Sequence, residues 1–199
     1  MGSVSTFAGV FHGASSFNQN LKTWEVEDST DMTEMFAGAT LFNQDISVWH
    51  MGSVTSFKGM FRGAASFDQR VETWEMEAAK DVSGMFEDAR SFNQPIAKWS
   101  VSSITNMAAM FKGARSFNQD ISVWELSGVE DVAGMFFNAG KFNQDLCNWK
   151  ISVPAQVTLV KEGTGPDTTE GLFQLSGCPN VSTPTSSDAG PWCHTCGAR

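Results

Sequence analysis

Apolar residues recur along this chain in two patterns, which together repeat every 25 residues. In the copy from Ser103 to Leu126, the first pattern has the spacing of one face of an amphipathic helix. Its apolar residues are Ile104, Met107, Met110, Phe111 and Ala114. Gly113 is expected to end this helix in a left-handed conformation. The second pattern alternates, since Trp124 and Leu126 flank the polar Glu125, and alternation predicts a short strand.

Six ungapped copies of this unit follow one another, and the same residue types return at the same places. One column is Trp24, Trp49, Trp74, Trp99, Trp124 and Trp149. Two further columns are Phe11, Phe36, Phe61, Phe86, Phe111 and Phe136, and Phe17, Phe42, Phe67, Phe92, Phe117 and Phe142. Such self-similarity is typical of stacked coils. We therefore predict an α/β repeat solenoid over residues 1–151, a leucine-rich-repeat-like array of short helices and short parallel strands.

The two ends of the chain depart from this pattern. Residues 170–173 echo residues 133–136 at a distance of 37 residues instead of 25, so residues 152–199 are expected to contain a degenerate last coil. The Ser-, Thr-, Pro- and Gly-rich remainder predicts a C-terminal cap or tail. Residues 1–4 align in register with residues 51–54, so the chain is expected to begin inside a coil, as a fragment or at an internal start codon.

Composition narrows the possible functions. The 199 residues carry a formal net charge of −9, which argues against a nucleic-acid-binding module because phosphates need a basic surface. The sequence has no apolar run long enough to span a membrane, and no charged-then-apolar segment near residue 1 resembles a signal peptide. Twelve of the 16 Phe and six of the seven Trp fall in the three aromatic columns. The aromatic excess therefore predicts an interior stack and not an aromatic binding surface.

An Asn-Gln pair follows the second Phe of nearly every copy, where the chain is expected to turn from helix to strand. Its members are Asn18, Gln19, Asn43, Gln44, Asn93, Gln94, Asn118, Gln119, Asn143 and Gln144, with Asp68 replacing Asn in the third copy. Side-chain amides at such a turn can satisfy backbone groups of their own and neighbouring coils. We predict a structural ladder with an interior role; a row of ligand-binding amides is the alternative.

All four cysteines lie near the C-terminus, at Cys147, Cys178, Cys193 and Cys196. Four cysteines allow three pairings, and the sequence does not choose among them. Cys147–Cys178 with Cys193–Cys196 is preferred because the first bond would attach the last coil to the tail. A zinc site including His194 is the rival, although it lacks the paired spacing of strong zinc motifs. A redox-active pair would need a strand–helix context that is absent.

The outward positions of the predicted strands vary from copy to copy, which suits recognition of an irregular partner. The candidate partner-binding face comprises Thr23, Glu25, Glu27, His50, Thr73, Glu75, Glu77, Lys98, Ser100 and Glu125, with Val48, Gly52, Ser102, Val123 and Ser127 beside them. Glu25, Glu75 and Glu125 lie in alternate coils, about 10 Å apart by strand spacing. This distance is close to that between the two carboxylates of an inverting glycosidase, but the distance is the only likeness. No catalytic residue, metal ligand or cofactor is assigned, and a protein or glycan partner is expected.

The motif Met-Phe-x-Gly-Ala-x-Ser-Phe-Asn-Gln-Asp-Ile-Ser-x-Trp closely resembles the repeat of the BspA-like leucine-rich-repeat surface-protein family, first noticed in mycoplasma proteins of unknown function. The resemblance covers residues 1–151. It implies a right-handed solenoid, a cell-surface or secreted location, and a role in adhesion or protein binding without catalysis. An intracellular scaffold with a zinc-binding tail and a carbohydrate-active protein are the alternatives.

Overall fold

The structure is a computed structural model that describes residues 4–147, 149 and 176. The chain forms six stacked coils that repeat every 25 residues. Five isolated parallel bridges join the first residues of successive coils: Thr6, Asp31, Ser56, Asp81, Asn106 and Asp131. We number the coils from these residues as 6–30 (coil 1), 31–55 (coil 2), 56–80 (coil 3), 81–105 (coil 4), 106–130 (coil 5) and 131 onwards (coil 6).

The predicted helices are wrong, because the described residues contain none. The segment that follows each bridge is a succession of tight turns. In coil 5, the N–H of Met110 bonds the carbonyl of Met107 at 3.2 Å, and that of Ala114 bonds the carbonyl of Phe111 at 3.0 Å. Every second N–H group instead donates to a carbonyl of the next coil. The N–H of Phe111, for example, bonds the carbonyl of Met135 in coil 6 at 2.9 Å. The backbone is therefore satisfied partly by the neighbouring coil.

Left-handed residues explain why a helix cannot form here. Two residues in this segment of every coil have positive φ, and they lie four positions apart. They are Gly9 and Gly13, Glu34 and Gly38, Gly59 and Gly63, Gly84 and Asp88, Ala109 and Gly113, and Gly134 and Asn138. A right-handed helix has no place for such residues. Gly113 is left-handed as expected, but it lies within a chain of turns and does not end a helix.

The predicted strands are wrong as well. The N–H of Trp124 bonds the carbonyl of Ile121 at 3.1 Å, and the N–H of Val129 bonds that of Leu126 at 3.0 Å, so this segment also consists of turns. The only bridges among the described residues are the isolated ones at the start of each coil, and no sheet forms. The molecule is therefore not an α/β solenoid of the leucine-rich-repeat kind, although its coils do stack with the predicted period.

The interior is an aromatic stack, as predicted. Phe111 and Phe117 of coil 5 stack at 4.0 Å between ring centroids, and Phe111 stacks on Phe86 of the preceding coil at 5.7 Å. Equivalent pairs run from coil to coil along both Phe columns. Trp124 lies beside them, and its Nε1 donates to the buried carbonyl of Ile96 in the preceding coil. The uniform columns of the sequence are therefore the core.

The predicted degenerate coil and cap at residues 152–199 lie outside the described residues, apart from Ser176. No helix of the described part is long and apolar enough to cross a membrane.

Candidate binding face

The outward positions around each Trp form one continuous exposed surface, which we call the variable face. It comprises Thr23, Glu25, Glu27, Val48, His50, Gly52, Thr73, Glu75, Glu77, Lys98, Ser100, Ser102, Val123, Glu125 and Ser127. All of these residues are exposed except Glu75, which is half-buried. The structure thus places every residue of the predicted face at the surface, although turns and not strands hold them there.

Burial of the flanking residues is what directs these side chains outward. In coil 3, Trp74 is 3% exposed and Met76 is fully buried, so Glu75 between them must point away from the core. The same arrangement recurs in coils 2, 4 and 5, where the Trp and the residue two positions later are both buried. The face is therefore set by the core packing beneath it.

One carboxylate of the variable face is hydrogen-bonded to the backbone of the preceding coil. Glu75 accepts a 3.1 Å hydrogen bond from the N–H of Met51 and lies 3.3 Å from Nδ1 of His50. The N–H of Met51 holds the pKa of the Glu75 carboxyl below its usual range; His50 adds to this, and partial burial opposes it. Glu75 is therefore a charged group that links coils 2 and 3.

The equivalent N–H groups in the following coils lack such a partner. Within the described residues, the N–H of Met76 and that of Val101 have no hydrogen-bond acceptor. The residue that corresponds to Glu75 one coil later is Ser100, whose short side chain makes no bond to Met76. Met76 is fully buried and Val101 is 3% exposed, so the stacked coils themselves cover both residues.

The variable face carries five carboxylates and one lysine. Coils 1, 3 and 5 contribute Glu25, Glu27, Glu75, Glu77 and Glu125, whereas coil 4 contributes Lys98 and two serines. Lys98 has no ion pair in the described part of the chain, unlike Lys22, Arg62 and Lys112. Two exposed valines, Val48 at 48% and Val123 at 64%, add apolar area to the same face.

The Asn-Gln pairs form a ladder of hydrogen bonds along another side of the stack. The Oδ1 of Asn93 accepts from the N–H of Asn118 and from Nε2 of Gln119, both at 2.9 Å. The same pair of bonds joins every successive coil, and Asp68 fills the slot with a carboxylate oxygen. The Asn or Asp of each step is exposed or half-buried, so the ladder lies at the surface and not in the interior.

Cys147 is half-buried. Cys178, Cys193, Cys196 and His194 lie outside the described residues, so the pairing and the zinc alternative stay predictions. No group of three or more metal-binding side chains occurs within residues 4–147.

Comparison with known proteins gives one match. A family model described as "Mycoplasma protein of unknown function, DUF285" matches residues 1–93 and 67–164. No curated protein and no solved structure matches the chain.

Proposed function

Since the chain belongs to the DUF285 family of Mycoplasma proteins of unknown function, whose description names no activity, we propose its function from the structure. We propose that it is a non-catalytic binding protein that recognises a protein or glycan through the variable face. The observation that carries this proposal is the contrast between the uniform interior columns and the exposed, varied positions above them.

The variety of the face supports recognition over a purely structural role. A surface with no partner to recognise needs only solvated polar groups, whereas this face combines carboxylates, a cation, a histidine and exposed valines at 48% and 64%. Mixed polar and apolar composition is typical of non-obligate protein interfaces. Negative charge disfavours an anionic polymer as the partner.

A relationship more specific than the DUF285 family, namely to the BspA-like surface proteins, is part of the proposal and rests on the repeat motif. It supports a location at the cell surface or outside the cell and a role in adhesion. Cysteine chemistry tests the location, because disulfides persist in oxidising compartments. We expect the cysteines to react with an alkylating agent only after reduction; free thiols with bound zinc would favour the intracellular scaffold.

A hydrolytic role for the carboxylates of the face is not supported. A glycosidase needs a general acid with a raised pKa, whereas the pKa of Glu75 is lowered by the N–H of Met51. A glycan-hydrolysis screen in which activity disappeared in Glu75→Gln would overturn this view.

The binding test uses the full chain, immobilised and exposed to a glycan array and to purified extracellular-matrix proteins. The face variant Glu25→Gln/Glu125→Gln removes two negative charges. Its control, Ser16→Lys/Ser91→Lys, changes the net charge equally at exposed positions away from the face. We expect the face variant to lose binding while the control retains it. Equal binding by the two variants would exclude the face as the recognition surface.

A further inference from the structure

We propose that three exposed cations of coils 4, 5 and 6 form a second binding site, separate from the variable face, and that this site binds an acidic glycan. The cations are Arg90, Arg115 and Lys141, which we call the basic row. The site goes beyond the proposed function, because the variable face with its five carboxylates takes no part in it.

The two arginines of the basic row occupy the same position of consecutive coils. The other coils have small uncharged residues there, namely Ser15, Thr40, Ala65 and Gly140. Equivalent residues of stacked coils lie about 4.8 Å apart at a strand-like spacing. Like charges placed side by side destabilise a stack. The pair therefore does not strengthen the fold, whereas a bound anion would relieve its repulsion.

Neither arginine has an acidic partner in the described part of the chain. Of the two acids nearest in the sequence, Glu87 pairs with Lys112 at 3.7 Å. The other acid, Asp88, has its carboxylate beside Gly113 of coil 5. Both guanidinium groups therefore keep their hydrogen-bond donors for a ligand.

The main chain beside the basic row offers further donors. In coils 2, 3 and 4, the N–H groups of Leu41, Ser66 and Ser91 each bond a carbonyl of the preceding coil at 3.1 Å. The corresponding N–H groups of Ser116 and Lys141 have no acceptor within residues 4–147. Ser116 is half-buried and Lys141 is exposed, so neither residue is covered by the stacked coils. Main-chain donors next to cations favour a bound oxyanion.

The surroundings of the basic row favour a glycan over an acidic peptide. The planar arginine fork matches the oxygens of a carboxylate or a sulfate. Asn93 and Asn118, three positions after the arginines, are exposed, and their Nδ2 groups have no acceptor in the described residues. Such amides can donate to sugar hydroxyls. A peptide is usually anchored by apolar contacts as well, but the exposed large apolar residue of coils 4–6, Val123, lies on the variable face.

The test measures binding of a labelled heparin-derived hexasaccharide to the full chain by fluorescence polarisation at low ionic strength. Arg90→Ser/Arg115→Ser restores the residue that coil 1 has at this position, and we expect it to weaken binding about tenfold or more. The control Lys58→Ser/Lys80→Ser removes the same charge from exposed positions of coil 3 and should change the affinity less than about twofold. Equal losses in the two variants, or no binding to the original chain, would overturn the inference.

Two further ligands identify the group that is bound. The fully desulfated hexasaccharide keeps its carboxylates, so binding that survives desulfation assigns the carboxylates, and binding that is lost assigns the sulfates. A glutamate hexapeptide that bound more tightly than both through the same arginines would identify an acidic peptide and overturn the inference.

The variable-face variant Glu25→Gln/Glu125→Gln separates this site from the proposed function. We expect it to bind the hexasaccharide at least as tightly as the original chain, since it removes only negative charge. If this variant lost the hexasaccharide while Arg90→Ser/Arg115→Ser bound it normally, the glycan would belong to the variable face. The inference would then fail and the proposed function would stand.

Discussion

The indole Nε1 of Trp99 donates a 2.8 Å hydrogen bond to the carbonyl oxygen of Val71, which lies 28 residues earlier in the preceding coil. Trp99 is only 3% exposed, so this bond satisfies a buried donor and a buried acceptor at once. Trp49, Trp74, Trp124 and Trp149 make the same bond to the coil before them. Each of these five Trp residues therefore links its coil to the preceding one through its N–H group.

Replacing Trp99 with Ala is expected to lower the free energy of unfolding by about 3–5 kcal/mol, because it opens a cavity between coils. Trp99→Phe fills most of that volume but leaves the Val71 carbonyl without its donor. It should lower the free energy of unfolding by about 1–3 kcal/mol. Urea unfolding followed by circular dichroism measures both. Val123→Ala, at the surface, serves as the control and should change stability by less than about 0.5 kcal/mol. A Trp99→Ala chain as stable as this control would contradict the core described here.

Gly113 is expected to resist replacement by Ala. Its φ is +68°, and a Cβ there would lie 2.5 Å from Oδ1 of Asp88 in the preceding coil. Left-handed geometry alone costs an L-residue about 1–2 kcal/mol. Gly140→Ala is the matched control, because its Cβ would meet nothing within 4 Å, and it should be neutral or slightly stabilising. Thermal unfolding of the two variants side by side tests the turn geometry; equal midpoints would argue against it.

The ladder should tolerate Asp but not Ala at Asn93. The Oδ1 of Asn93 accepts hydrogen bonds from the N–H of Asn118 and Nε2 of Gln119, and Asp68 already performs this task one coil earlier. We expect Asn93→Ala to lower the free energy of unfolding by about 1 kcal/mol and to speed hydrogen exchange of the Asn118 amide. Asn93→Asp should leave that exchange rate close to the original. Equal stability and equal exchange rates of the Asn93→Ala and Asn93→Asp variants would contradict a structural role for the ladder.

Asp45 should make the stability depend on pH in the acid range. Hydrogen bonds from the hydroxyl and the backbone N–H of Ser47, with Lys22 nearby, lower the pKa of Asp45 from 3.8 to about 2. Because the folded pKa lies below the unfolded one, the stabilisation is present above about pH 4 and is lost as the pH falls towards 2. The difference in melting temperature between the original chain and Asp45→Asn is therefore expected to shrink over this interval.

The control for the acid range is Asp28→Asn, at an exposed position without a hydrogen-bond partner in the described part of the chain. Its melting temperature should follow that of the original chain at every pH. A constant difference for Asp45→Asn between pH 5 and pH 2 would contradict the assignment.

Local chemistry in the sequence predicts much of the variable face and of the core. Trp and Phe columns must be buried because water disfavours their area, and the polar residue between two buried ones must point outward. Glu125 between Trp124 and Leu126 shows this, since the inference holds whether the backbone is a strand or a turn. The hydrogen bond from the Met51 N–H to Glu75 was not predicted, because it depends on which N–H groups meet a side chain of the next coil once the coils stack.

The helix prediction failed for a definable reason. The apolar spacing from Ile104 to Ala114 is shared by a helix and by a succession of tight turns, so periodicity does not separate them. The sequence feature that indicates turns is a pair of glycines four residues apart, such as Gly59 and Gly63. Coil 5, the copy with the clearest apolar pattern, conceals that signal because Ala109 replaces the glycine there.

The sequence by itself determined the 25-residue period, the interior columns and the outward positions, because these follow from which side chains avoid water. Only the tertiary structure decided the path of the backbone between them. Hydrogen bonds such as that from Phe111 to Met135 join residues 24 positions apart, and they exist only once the next coil is in place. A turn that is unfavourable within a single coil is stabilised by its neighbours in the stack, which no local pattern records.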